Sequence, residues 1–156
     1  MLAGGIVVGV VGLDQTSKAW AEWRLDDGPI SILGDIELRL SRNTGAAFSF
    51  FQGFTPLLAV LAVIITVVLV RAVRQADDRL TLVALSLVLG GALGNLTDRV
   101  FRSPGFLEGA VVDFVKVDSF PTFNLADSAI TIGTLLLVVT LLRPVRDHPE
   151  QRTSET

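Results

Sequence analysis

Asp113 and Asp127 are acids set in unusually apolar surroundings. Asp113 lies in Val-Val-Asp-Phe-Val-Lys-Val, residues 111–117, a β-like apolar run, and Asp127 falls in the first turn of a long apolar helix that opens near residue 125. A carboxylate at the mouth of a hydrophobic segment is costly, because hydrocarbon does not solvate charge. Two Asp side chains brought close together cannot both ionise and so share one proton. The ionised member takes a proton from water while the protonated member donates to a carbonyl oxygen. The chemistry this predicts is hydrolysis of a peptide bond at a bilayer surface. The residue inventory points the same way. There is no cysteine, and the one histidine, His148, sits in a polar tail. Thiol catalysis, disulfides and cysteine metal sites are excluded, and neither a His-based metal centre nor a Ser–His relay is expected.

Other polar residues gather near the same apolar segments. Asp14 and Lys18 are four apart with the acid first, the better orientation for a same-face helical pair. Asn95, Asp98 and Arg99 share a helical face, as do Asn124 and Asp127, and Asn43 opens the turn Asn43-Thr44-Gly45. Asn and Arg neighbours suit the stabilisation of negative charge in a tetrahedral intermediate. Each residue also has a plain structural reading. Asp127 can be a helix N-terminal acid favoured by the macrodipole, and Asp113 an ordinary loop charge. Asp14–Lys18 can be a neutralised buried pair, and Asp98 and Arg99 interfacial anchors that pair with each other or with lipid headgroups. Asn43 and Asn124 can be turn or cap residues. Gly90-Gly91-Ala92-Leu93-Gly94 reads as helix packing, with Gly94 leaving room beside Asn95.

The elements that must position these residues are read from hydropathy. Half of the 156 residues are hydrophobic, mean hydropathy is +0.58, and the excess falls in blocks. Crossing about 30 Å of hydrocarbon takes roughly 20 residues. Helices are predicted over residues 2–23, 54–70, 80–97 and 125–142. Residues 2–13 are apolar but have neither the basic flank nor the small-residue cleavage site of a secretory signal peptide. Trp20 and Trp23 suit an interfacial belt. Ile36 to Ser41 alternates with period two, a strand with one wet face, and residues 46–51 are expected to turn back toward the membrane. A second outer loop covers 103–121.

Four crossings put both termini on one side. The short basic stretches, Arg71, Arg74 and Arg79 with Arg143 and Arg146, make that side cytoplasmic. Residues 1–146 then form one integral-membrane domain, and 147–156 a disordered cytoplasmic tail. In this frame the polar set lies at the outer ends of the helices. Net charge is −3 with scattered basic residues, which argues against nucleic acid as a partner. A small proton-coupled transporter is the rival reading, but transporters keep ionisable groups near the midplane.

The segments around Asp14 and Lys18, Asn43-Thr44-Gly45-Ala46-Ala47-Phe48-Ser49, Gly94-Asn95-Leu96-Thr97-Asp98-Arg99, Val111-Val112-Asp113-Phe114 and Phe123-Asn124-Leu125-Ala126-Asp127-Ser128 resemble, in order and spacing, the motif set of the lipoprotein signal peptidase (signal peptidase II) family of bacterial membrane aspartyl proteases. The resemblance covers nearly the whole chain. It implies an all-α membrane protein of four transmembrane helices, with a small extracytoplasmic β-element (a β-cradle), a second extracytoplasmic loop, and both termini cytoplasmic in the bacterial inner membrane. It implies Asp113 and Asp127 as the catalytic dyad, supported by Asp14, Asn43, Asn95, Asp98, Arg99 and Asn124, with Lys18 grouped among the supporting residues. The implied substrate is a diacylglyceryl-modified prolipoprotein, cut just before its lipidated cysteine. Membrane lipids surround the chain, and no metal, cofactor or obligate protein partner is implied. Two departures are visible: the first helix begins almost at Met1, and the 99–109 linker, with Ser103-Pro104-Gly105, is longer than the common form. The 99–121 loop is a candidate lid.

Overall fold

A computed structural model describes residues 1–45 and 55–143. The expected return of residues 46–51, the stop at Pro144 and Arg146, His148 and the 147–156 tail lie outside the described residues. In chain order the elements are α1 (Leu2–Arg24), β1 (Ile30–Leu33), β2 (Ile36–Asn43), α2 (Thr55–Arg74), α3 (Arg79–Phe101), β3 (Val111–Val117) and α4 (Leu125–Leu141).

α3 is the axis of the molecule, packed along α4, α1 and α2. Small residues make this possible. A Cβ at Gly91 would fall inside contact distance of the Ala126 carbonyl oxygen, and one at Gly133 would lie 2.7 Å from the carbonyl oxygen of Ala84. Gly94 makes room for Asp14, whose Oδ2 lies 2.6 Å from where a Cβ would be. The neighbour expected beside that glycine was Asn95. Asp78 starts α3 as its N-cap, accepting from the backbone N–H groups of Leu80 and Thr81 at 2.9 and 3.1 Å, which offsets two of the four orphan donors of a helix start. α3 runs to Phe101, one turn beyond its expected end near 97, so Asp98 and Arg99 sit within the helix rather than at its fraying end.

Pro56–Arg74 and Arg79–Phe101 are long and apolar enough to cross a membrane. Leu125–Leu141 is apolar but shorter, and α1 carries Asp14, Lys18, Glu22 and Arg24. α2 presents Leu57, Val60, Leu61, Ile64, Val67 and Val68 outward, with Ala59 buried. A helix so apolar on its exposed sides suits a hydrocarbon solvent.

The molecule is mostly helical, with one three-stranded antiparallel sheet in the order β1-β2-β3. The alternation read at 36–41 is the heart of β2. The short β1, whose Ile30-Ser31-Ile32-Leu33 follows a Gly-Pro turn, was not predicted. The 103–121 loop contributes β3 to this sheet, pairing with β2 through Ser41↔Asp113, Arg42↔Val112 and Asn43↔Val111. A bulge lies between Leu38 and Ser41, and such a bulge re-aims the side chains beside it. Ala21, Leu25 and Phe114 form a buried cluster with Ile30, Leu38, Leu40 and Val115 against it, seating the sheet on the end of α1. Within the candidate lid, the part that is β3 is therefore fixed structure.

Candidate active site

Asp113 is delivered by β3 and is 2% exposed. Beyond the strand the chain doubles back: the backbone N–H groups of Phe114 and Val115 donate to the Phe123 carbonyl at 3.1 and 2.9 Å, and Phe123 returns a bond to Val115 O at 3.0 Å. That bridge brings the lead-in to α4 alongside β3, so Asn124, the residue after Phe123, meets Asp113. Asn124 Nδ2 donates to Asp113 Oδ1 at 2.7 Å. Asn124 also caps α4. Its Oδ1 accepts from the backbone N–H of Asp127 at 2.9 Å, and Asp127 Oδ2 accepts from the backbone N–H of Asn124 at 3.2 Å, a reciprocal capping box. One asparagine thus bridges the two acids, and the capping of α4 by Asn124 and Asp127 leaves Asn124 free to bond Asp113 as well.

Further donors complete the arrangement. Asn43 Nδ2 reaches Asp113 Oδ2 at 3.1 Å, and Asn95 Nδ2 reaches Asp127 Oδ1 at 2.8 Å. Asn95 Oδ1 accepts from Asn124 at 3.1 Å and from Lys18 Nζ at 3.0 Å. Lys18 is fully buried and sits 2.8 Å from both Asp14 and Asp98. Burial, and then the negative charge of Asp127, push the Asp113 carboxyl up to about 6, against the hydrogen bonds from Asn43 and Asn124 and the charge of Lys18. Desolvation and a like charge both disfavour the ionised form.

The candidate residues Asp14, Lys18, Asn43, Asn95, Asp98, Asn124, Asp113 and Asp127 form one hydrogen-bonded network. Arg99 stands at its margin, its Nη1 3.4 Å from the Asn95 carbonyl, facing an apolar groove of about 320 Å³ between α2, α3 and α4. Asp98 does not pair with Arg99. It pairs with Lys18 and, at 2.7 Å, with Arg102 Nε. Sequence reading missed Gln15, which donates to Asp14, Gly94 O and Asp98 at 3.1 Å each, and it missed Arg102 and Glu22, which bond each other. The Asp98–Arg102 spacing was a usable signal. The bond from Gln15 to Asp98, 83 residues away, left none.

Two clefts meet at the acids. The larger, about 620 Å³, is mainly apolar, and Asp127 lines it with Phe120, Pro121, Phe123, Thr131 and Ile132. The smaller, about 230 Å³, is more polar, and Asp113 lines it with Ser41, Arg42 and Thr44. Asn43, Pro121 and Thr122 border both. Among the described residues, no group of three or more His, Cys, Asp or Glu side chains is arranged to hold a metal ion.

Fold and site together describe a helical membrane protein with a buried acid, Asp113, and a half-buried one, Asp127, where its helices meet a small sheet. The family described as signal peptidase (SPase) II matches residues 6–143, and the chain belongs to it. Proteins named lipoprotein signal peptidase from Streptomyces coelicolor and Rhodococcus jostii are 50% identical over 133 residues and 48% identical over 140. Those alignments cover 84% and 88% of this chain but 65% and 71% of the relatives' lengths. A bacterial membrane enzyme solved by the in meso method at 1.9 Å superimposes with a TM-score of 0.80 at 32% identity, covering 91% of this chain and 93% of that one. A second, at 2.3 Å, gives 0.78 at 30% identity, covering 99% and 94%.

Proposed function

We propose that this chain is an aspartic endopeptidase that removes the signal peptide from diacylglyceryl-modified prolipoproteins, cutting before the lipidated cysteine, with Asp113 and Asp127 activating water. The observation that carries this reading is the bridging of the two carboxyls by Asn124 at the junction of an apolar and a more polar cleft. Family membership supports a lipoprotein as the substrate class.

In the proposed reaction the pair holds one proton. Water bonds through its oxygen to the scissile carbonyl carbon as its proton passes to the ionised carboxylate, and the protonated carboxyl gives its proton to the carbonyl oxygen. The resulting diol then returns one proton to the pair while the pair gives one to the leaving nitrogen, and the C–N bond breaks. Asn43, Asn95 and Asn124 donate to the carboxylate oxygens throughout, so the acids keep their orientation while the proton changes hands. The apolar cleft beside Asp127 suits an apolar stretch of substrate, and the polar cleft beside Asp113 admits water. Acyl chains contribute about 0.8 kcal/mol per buried methylene, which makes the lipid the principal recognition handle.

In the same reading α1 and α4 join α2 and α3 as four crossings. Seventeen helical residues reach about 26 Å, near the roughly 30 Å of hydrocarbon. Arg71 and Arg74 end α2, Arg79 begins α3, and the charge of Arg143 at the close of α4 acts on Asp78, so these groups share one end of the bundle. Basic density makes that end cytoplasmic, with the sheet and acids at the extracytoplasmic face of the bacterial membrane.

A gel-shift assay with purified lipidated and unlipidated prolipoprotein tests reaction and recognition together. Asp113→Asn and Asp127→Asn should each lower the cleavage rate at least about 100-fold in protein that remains folded, and unlipidated substrate should go uncut. Wild-type turnover in either variant would overturn the assignment.

A further inference from the structure

Lys18 touches neither proposed aspartate, yet it joins two groups that hold them. Its three ammonium protons meet three acceptors: Asp14 Oδ2 and Asp98 Oδ2 at 2.8 Å each, and Asn95 Oδ1 at 3.0 Å. The side chains of Asp14, Lys18 and Asp98 are all 0% exposed. Each of the two carboxylates also accepts a backbone N–H from a different element. Asp14 Oδ1 takes Ala126 N–H at 3.0 Å, and Asp98 Oδ2 takes Val112 N–H at 3.1 Å. Ala126 is the residue immediately before Asp127, and Val112 the residue immediately before Asp113.

Both donors are of the kind that needs a partner from outside its own element. Ala126 is in the first turn of α4, whose N–H groups have no intrahelical acceptor, and Val112 is on the edge strand β3. Left unpaired in buried positions, either would be costly. A carboxylate at a helix start is also favoured by the helix dipole.

We infer that Asp14 and Asp98, fixed on either side of Lys18, are paired backbone clamps that set the positions of Asp127 and Asp113 respectively. They are positioning residues: neither reaches the reacting atoms, and each acts on the residue before a proposed catalytic acid. The inference rests on the aspartyl reading above only for its effect on rate. The clamps themselves can be tested without activity.

The discriminating comparison is asparagine against alanine. Asn at either position keeps an oxygen for the backbone N–H and loses the charge, whereas Ala loses both. A 1 Å misplacement of a reacting group is worth about 100-fold in rate. Asp14→Ala and Asp98→Ala should each lower kcat about 10- to 100-fold with KM changed less than about threefold, and should displace the pH profile. Asp14→Asn and Asp98→Asn should restore most of kcat and the wild-type profile. Amide hydrogen exchange should quicken over residues 124–128 in Asp14→Ala and over 111–115 in Asp98→Ala, and in neither Asn variant. Gly133→Ala, which strains the α3–α4 contact away from the site, is the control: it should lower Tm and leave the pH profile unmoved.

Wild-type kcat in both alanine variants, or asparagine variants as impaired as alanine, would sink the clamps. If the alanine variants are not recovered folded, the asparagine variants decide alone. Retained kcat and exchange support the clamp, and their loss assigns the carboxylates to charge neutralisation instead. Activity surviving in Asp113→Asn or Asp127→Asn in the same assay would overturn the aspartyl reading while leaving the exchange result to judge the clamps.

Discussion

The Asp113 carboxyl is pushed up to about 6 for two separable reasons, burial and the neighbouring Asp127 charge, and they can be pulled apart. Asp127→Asn removes only the second, so the Asp113 carboxyl should titrate below its wild-type value of about 6 while staying above an exposed aspartate. Carbon-13 NMR of labelled aspartate in detergent reads this directly, and an unchanged titration would mean that burial alone is responsible. The sign for stability follows. A folded value of about 6 against an ordinary 3.8 means that the folded protein binds this proton more tightly than the unfolded chain. Its contribution is complete below about 3.8 and is lost as pH rises through about 6. At this scale much of the site was legible. Asn124 and Asp127 announce themselves as a cap with an acid at the third helical position, and Asp14–Lys18 as a same-face pair. Gln15 and Glu22 were invisible because the partners that tie them to the site, Gly94 and Asp98 for the one and Arg102 and Arg42 for the other, meet them only in the fold.

Between elements, the decisive contact is that of α3 with α4, where backbones approach across glycine. Gly91→Val would drive a branched side chain into the Ala126 carbonyl, and overpacking of this kind typically costs about 1–3 kcal/mol. The expected result is a lower Tm together with lost activity, because Ala126 is the residue through which α4 is tied to Asp14. A Gly91→Val protein as stable as wild type would show that the helices part easily. Hydropathy located all four helices, from long apolar blocks in α2, α3 and α4 and from the apolar run 2–13 that opens α1. It stopped α3 a turn early because Asp98 and Arg99 look like an exit into water. Their charge is answered inside the protein by Lys18 and Arg102 for the one and the Asn95 carbonyl for the other; the spacing to Arg102 is a local signal, whereas Lys18 on another helix leaves none. β1 was missed because four residues between turns give too little alternation to read. The union of β2 and β3 in one sheet is a pairing at long sequence separation, fixed by side chains that meet only in the fold.

For the molecule as a whole, the separation of a basic end from an acid-bearing end makes an orientation testable, and the lack of cysteine makes the test clean. A single cysteine at Gln75, in the turn after α2, should react with a membrane-impermeant maleimide only after the cells are opened. One at Gly34, between β1 and β2, should react in spheroplasts. The reverse pattern would invert the topology and leave the proposed substrate on the wrong side. The fold also carries a series of alternating charge: Asp14, Lys18, Asp98, Arg102, Glu22 and Arg42, each paired with the next. Side-chain exposure along it climbs from 0% at Asp14, Lys18 and Asp98 through 19% at Arg102 to 55% at Arg42. Such a series behaves like the stones of an arch. Lys18 and Asp98 near its buried end each bear on two neighbours, while Arg42 at the other end rests in water and can drift, so inherited variation should thin out along it from rim to centre.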